Sequence, residues 1–166
     1  MQQRRWLLAT SASLALAACG FELRRTPKFA FATLYTGWAE GSALGAEFRR
    51  SIAANGDVRL VTDAKLATTA DVVLEILQEQ REKVVVGVTT AGTVREFKLR
   101  LRLRFALRGK DGKELIANSE IVQQRDISFN ESVVLSKEAE EGLLYRNMQS
   151  DIVQQLMRRL AALPSL

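Results

Sequence analysis

From Phe97 to Phe105 the chain alternates without a break: Phe97, Leu99, Leu101, Leu103 and Phe105 take one parity, Lys98, Arg100, Arg102 and Arg104 the other. A period of two predicts a β-strand with one apolar and one cationic face. A slip of one residue buries four charges, so the strand has a single tolerable orientation. Upstream, Val72, Leu74 and Ile76 alternate with Val73, Glu75 and Leu77, and the β pattern runs on through Val84, Val85 and Val86 to a turn at Thr89-Thr90-Ala91-Gly92. Downstream, Lys110-Asp111-Gly112-Lys113 predicts a second hairpin turn, and Leu115 to Phe129 a last, more polar strand.

Two stretches have a different period. Leu44, Phe48 and Ile52 recur every four residues behind Ser42, a helix cap, and Asn55-Gly56 is a stop because glycine takes the left-handed cap without steric cost. Lys28 to Tyr35 before this helix predicts a first strand, Gly37 to Gly41 a turn, and Val58 to Val61 after it a brief strand parallel to the first. Ser132 to Leu163 predicts a loop and a long helix, with Glu138, Glu140 and Glu141 at its start and Arg158 and Arg159 at its end, matching the helix dipole. Tyr145, Met148, Ile152, Leu156, Leu160 and Leu163 form its apolar stripe, and Pro164 ends it. The expected fold is an α+β two-layer sandwich: a mixed, mostly antiparallel sheet of four to five strands with two helices packed on one face, in the order βαβ, β meander, α.

The N-terminus has the layout of a secretory leader. Arg4 and Arg5 precede an eleven-residue apolar run, Trp6 to Leu16, too short for a hydrocarbon core that takes about 20 helical residues. Leu16-Ala17-Ala18-Cys19 then matches the bacterial lipobox, with the chain's only cysteine at the acceptor position. The expected division is a cleaved leader over 1–18, an acylated N-terminus and tether over 19–27, and one domain over 28–166. Ordinary signal cleavage leaving a free thiol is the other reading of the same segment. Several acyl chains on Cys19 give a lasting anchor where one gives a marginal one, at about 0.8 kcal/mol per buried methylene. Gly20 follows the cysteine, where lipoproteins retained at the inner membrane usually carry aspartate, so the outer membrane is expected.

Composition narrows the chemistry. A chain of 166 residues, 47% hydrophobic and 26% charged, suits one compact domain. It has no histidine, which removes histidine triads, imidazole relays and HExxH zinc sites, and its lone cysteine removes an internal disulfide and a structural zinc site. The net charge of +5 falls to +3 once Arg4 and Arg5 leave with the leader. Gly87 to Gly92 has the spacing of a phosphate loop, but Thr93 and Val94 stand where Lys and Ser/Thr are needed. No acidic pair with a catalytic layout stands out, and the chain is expected to be no enzyme and to need no cofactor or metal.

The cationic row is the main functional candidate. Alternate residues lie about 6.7 Å apart, so adjacent charges repel by about 0.6 kcal/mol in water. Two readings are open: a solvated sheet face flanked by Glu75, Glu79 and Glu120, or a surface completed by the carboxylates or phosphates of a partner. Nucleic acid is not expected, because the chain is exported and Phe97 and Phe105 face the core rather than offering a stacking platform.

The start Cys19-Gly20-Phe21-Glu22-Leu23-Arg24 resembles that of the LptE family of lipopolysaccharide-assembly lipoproteins. The similarity continues through Phe29 to Val61, the hairpin exit Gly92-Thr93-Val94-Arg95-Glu96-Phe97, Arg146-Asn147-Met148 and Arg158-Arg159-Leu160. The resemblance implies an outer-membrane subunit, facing the periplasm, that plugs and helps assemble the β-barrel LptD, binds lipopolysaccharide and aids its insertion into the outer leaflet. It further implies Arg95, Lys98, Arg100, Arg102, Arg104 and Lys137 as lipopolysaccharide or barrel contacts. Lys137 stands where the family places a lysine ahead of the last helix; a solvated lysine is its other reading. Thr90 replaces a hairpin-tip arginine of some members, which shifts attention to Arg95 and Lys98. The alternative function is a free lipid-binding or envelope-adaptor lipoprotein on the periplasmic side that requires no barrel.

Overall fold

A computed structural model describes residues 27–164. The leader 1–18, Cys19 and the tether as far as residue 26 lie outside the described residues. The elements are β1 (Thr33–Thr36), α1 (Ala43–Asn55), β2 (Arg59–Val61), β3 (Val72–Val88), β4 (Val94–Gly109), β5 (Glu114–Ser128) and α2 (Val134–Ala161), with 3₁₀ turns at Ala64–Thr69 and Glu131–Val133. The five strands form one sheet in the order β2-β1-β3-β4-β5. β1 is parallel to β2 and β3, while β3–β4 and β4–β5 are antiparallel. This is the expected α+β architecture, with both helices on one face.

The apolar parity of β4 fixes that face. Leu99, Leu103 and Phe105 are fully buried against Phe48 and Ile52 of α1 and Met148, Ile152, Leu156 and Leu160 of α2. α1 begins where the Ser42 hydroxyl accepts from the Gly45 amide at 2.8 Å and ends at Gly56, whose φ of +78° an L side chain rarely adopts. Among the described residues, the other face of β3, β4 and β5 carries no helix.

Four expectations change. The first strand is four residues long, not Lys28 to Tyr35: the amides of Ala32 and Thr33 donate to the Asp71 carboxylate at 3.0 and 2.8 Å instead of to a neighbouring strand. α2 starts at Val134, so Glu138, Glu140 and Glu141 sit beyond its first turn, and the cap before it belongs to Asn130, which accepts from the Ser132 amide. It also ends at Ala161, short of Leu163. Finally, β3 bulges between Ile76 and Gln78, which moves Glu79, Arg81 and Lys83 to the helix-covered side. Glu79 therefore does not flank the basic row.

β1 meets β3 only at Val72 to Leu74, so the rest of β3 is paired on one side alone. The lead-in to β1 and the Thr89–Gly92 turn consequently lie at opposite ends of a ribbon. Seventeen strand residues at about 3.3 Å each make it roughly 50 Å long.

Candidate functional site: the open face of the sheet

Lys98, Arg100, Arg102 and Arg104 stand in register on the uncovered face of β4, each between β3 and β5. Three of them are neutralised from within. Lys98 Nζ is 3.7 Å from Asp126 Oδ1, Arg100 Nη1 donates to Glu82 Oε2 at 3.2 Å, and Arg102 Nε lies 3.2 Å from Glu120 Oε1. Arg102 Nε is shielded from water without the alignment of a hydrogen bond to Glu120, so the contact is an ion pair alone. Further along, Arg108 Nε is 3.1 Å from Glu75 Oε1. Arg104, half-buried, faces Gln78 and Glu120 across the ladders, and its side chain has no ion pair or hydrogen bond with any described residue. The face is thus neither a bare cationic strip nor fully compensated.

The six predicted basic residues do not converge. Arg95 is exposed near the β3–β4 turn, beside a hollow of about 400 Å³ shared with Thr89, Phe129 and Asn130. Lys137 lies on the helix side of the sheet. Its Nζ donates to Ser128 Oγ at 3.0 Å and Glu140 Oε2 at 2.8 Å, at the rim of a cavity of about 220 Å³ lined by Lys83, Phe97, Phe129 and Glu141. Lys137 stands in the first turn of α2 rather than ahead of it, because the helix begins at Val134, and α2 packs on the side of the sheet opposite the row.

Sequence reasoning missed what the bulge brings together. On the helix side Lys83 Nζ donates to Glu141 Oε2 at 2.7 Å and stands over the Phe97 ring, while Arg81 lies 3.5 Å over the Tyr145 ring. Burial raises the pKa of the Tyr145 hydroxyl. A hollow of about 490 Å³ runs from Arg81 and Tyr145 to Ser42 and Gln149. Also missed are apolar side chains left outside the core: Val84, Val85, Val86 and Val88 at 46–61% exposure near the turn, and Leu135 at 83% on α2. The available signal was the absence of charge from Val84 to Val94.

At the lead-in end, a hollow of about 760 Å³ is lined by Phe31, Asp71, Lys110, Leu115, Leu163 and Pro164. Contact with the Thr33 hydroxyl, and then the amides of Thr33 and Ala32, holds the Asp71 carboxyl below its ordinary pKa. Among the described residues no group of three or more His, Cys, Asp and Glu side chains could hold a metal ion, and no helix is long and apolar enough to cross a membrane.

Comparison with known proteins follows the same outline. A family model described as LptE, lipopolysaccharide-assembly, matches residues 31–160. The solution structure of an uncharacterized lipoprotein B from Nitrosomonas europaea is 31% identical, with a TM-score of 0.72 over 86% of this chain and 91% of that one. The rare lipoprotein B of Shewanella oneidensis, 23% identical with a TM-score of 0.64 over 78% and 94% of the two chains, shares the fold. So does a minor lipoprotein of Acinetobacter baumannii, 20% identical, at 0.63 over 82% and 97%. Comparison with curated proteins finds no match.

Proposed function

The chain belongs to the LptE lipopolysaccharide-assembly family, and from that premise we propose that it is a lipid-anchored outer-membrane subunit that plugs and helps assemble the LptD barrel. Cys19 is its acylation site, the leader 1–18 is removed, and lipopolysaccharide is its ligand. The protein is an assembly factor rather than an enzyme.

The observation that carries this reading is the open face. Three long strands expose alternating acids and bases on one side while both helices cover the other. Such a face is poor at burying itself in an apolar partner, because each ion pair would lose its water. It suits the lumen of a membrane barrel, which is polar while the lipid-facing side is apolar. The ribbon's length of roughly 50 Å also exceeds the 40–45 Å of a whole bilayer. A tether anchored at one end therefore leaves the Thr89–Gly92 turn able to reach the opposite leaflet through a barrel. The cations near that turn, Arg95, Lys83 and Lys137, are then placed to meet the phosphates of lipopolysaccharide.

Recovery from detergent-solubilised outer membranes tests the proposal. A tagged chain is expected to bring down a β-barrel in equal amount. Recovery as a free monomer that still binds lipid A in a salt-sensitive way would instead support the barrel-independent lipid-binding reading.

A further inference from the structure

Along β4 the open face presents five bases, Lys98, Arg100, Arg102, Arg104 and Arg108, and its neighbours supply four paired acids, Asp126, Glu82, Glu120 and Glu75. Glu96 on β4 and Glu114 opposite Arg108 bring the acids of this face to six, so it holds no excess of cation; Arg104 is still the base without an ion pair among the described residues, and the register says why. Glu120 stands opposite Arg104 but is drawn to Arg102, and the Gln78 amide on the other side donates to Gln80 Oε1 at 2.7 Å. Glu120 is thus one carboxylate between two guanidinium groups.

In water an unpaired surface arginine costs little. Under a partner it loses its water and needs an acceptor. Lys98, Arg100, Arg102 and Arg108 each already face a carboxylate, with the Nε of Arg100 and of Arg102 left without a hydrogen bond. A guanidinium presents planar, paired donors that match a carboxylate. Arg104 stands on the open face beside the β3 bulge, flanked by Gln78, Ala106 and Glu120, and the four hollows described above do not include it. A lipid phosphate would bring acyl chains that require an apolar slot, and the exposed valines lie toward the distant turn. A flat protein wall needs no slot.

We infer that Arg104 docks a carboxylate on the wall of the barrel partner and is the residue through which the open face selects an acidic protein surface. The inference rests on the barrel-docking reading above. Its test compares tagged full-length Arg104→Gln, Arg104→Lys, Arg104→Glu and, as a control off the open face, Arg158→Gln with the unsubstituted chain. Barrel recovered per chain is measured at low and high salt, with thermal unfolding midpoints as a check on folding. Arg104→Gln is expected to lower recovery about tenfold or more at an unchanged midpoint. Arg104→Glu should lose more, and Arg104→Lys should retain part. Arg158→Gln, at an exposed position on α2 away from the open face, should lose nothing. Equal recovery by the unsubstituted chain and Arg104→Gln overturns the inference alone, as does an equal loss in Arg158→Gln. Unchanged barrel recovery with lost lipopolysaccharide binding in Arg104→Gln also overturns it and moves the residue to a lipid phosphate. Failure of the unsubstituted chain to recover any barrel overturns the docking reading and this inference together.

Discussion

The Tyr145 hydroxyl, on α2, donates to the backbone carbonyl of Glu82, on β3, and so ties the singly paired half of that strand to the helix. Tyr145→Phe keeps the ring under Arg81 and removes one bond, which is expected to cost about 1 kcal/mol. Urea unfolding checks the magnitude, and amide exchange should accelerate first around Glu82. Because burial raises this hydroxyl's pKa, the folded state holds its proton more tightly than the unfolded one. The bond's contribution is therefore complete below the ordinary tyrosine pKa of about 10 and declines as pH rises through the higher folded value.

Leu103 is fully buried on the helix side of the same strand that carries the basic row. Leu103→Ala leaves a cavity under both helices and should destabilise the domain by about 2–5 kcal/mol in equilibrium unfolding. A basic-row substitution such as Arg100→Gln should cost less than about 1 kcal/mol.

Asp71 closes the lead-in end by accepting the Ala32 and Thr33 amides. Its pKa is lowered in the folded protein, first by contact with the Thr33 hydroxyl and then by those amides. The stability it adds is present above the unfolded carboxyl value of about 3.9 and is lost as pH falls through the lower folded value. Asp71→Asn should unfold more easily by about 1–2 kcal/mol near neutral pH. The gap between the two proteins should close below about pH 4 in denaturation midpoints measured across pH.

Gly45 is a packing requirement. A Cβ there would stand 2.7 to 2.9 Å from atoms of Trp38, itself almost wholly buried against Phe48. Gly45→Ala is expected to push the indole aside and cost about 1–3 kcal/mol, with a red shift in tryptophan emission as Trp38 meets water.

How far the sequence reaches is clear from particular residues. The Phe97 to Phe105 alternation specified a strand, its buried face and its exposed row, because a two-residue period survives only where one side is packed. Ser42 and Gly56 marked α1 for equally local reasons. The bulge after Ile76 was not legible, since it depends on how β3 meets β4, and it reversed the side on which Glu79, Arg81 and Lys83 fall. For the same reason the acids beside the row were legible only in part: Glu120, expected to flank it, pairs with Arg102, while Glu82 and Asp126 reach Arg100 and Lys98 through the β3 and β5 registers. The separation of Lys137 from the row is likewise a tertiary fact: nothing in the local pattern says that α2 begins on the opposite side of the sheet.

The most direct test is photo-crosslinking in intact outer membranes from single positions on the two sides of the sandwich. A photoreactive residue at Gln124, which stands on β5 opposite Arg100 on the open side, should yield a covalent adduct with a β-barrel protein, and one at Arg158, an exposed position on α2, should yield much less. Adducts formed only from Arg158, or none from Gln124 while the chain is anchored in the outer membrane, would contradict docking through the open face.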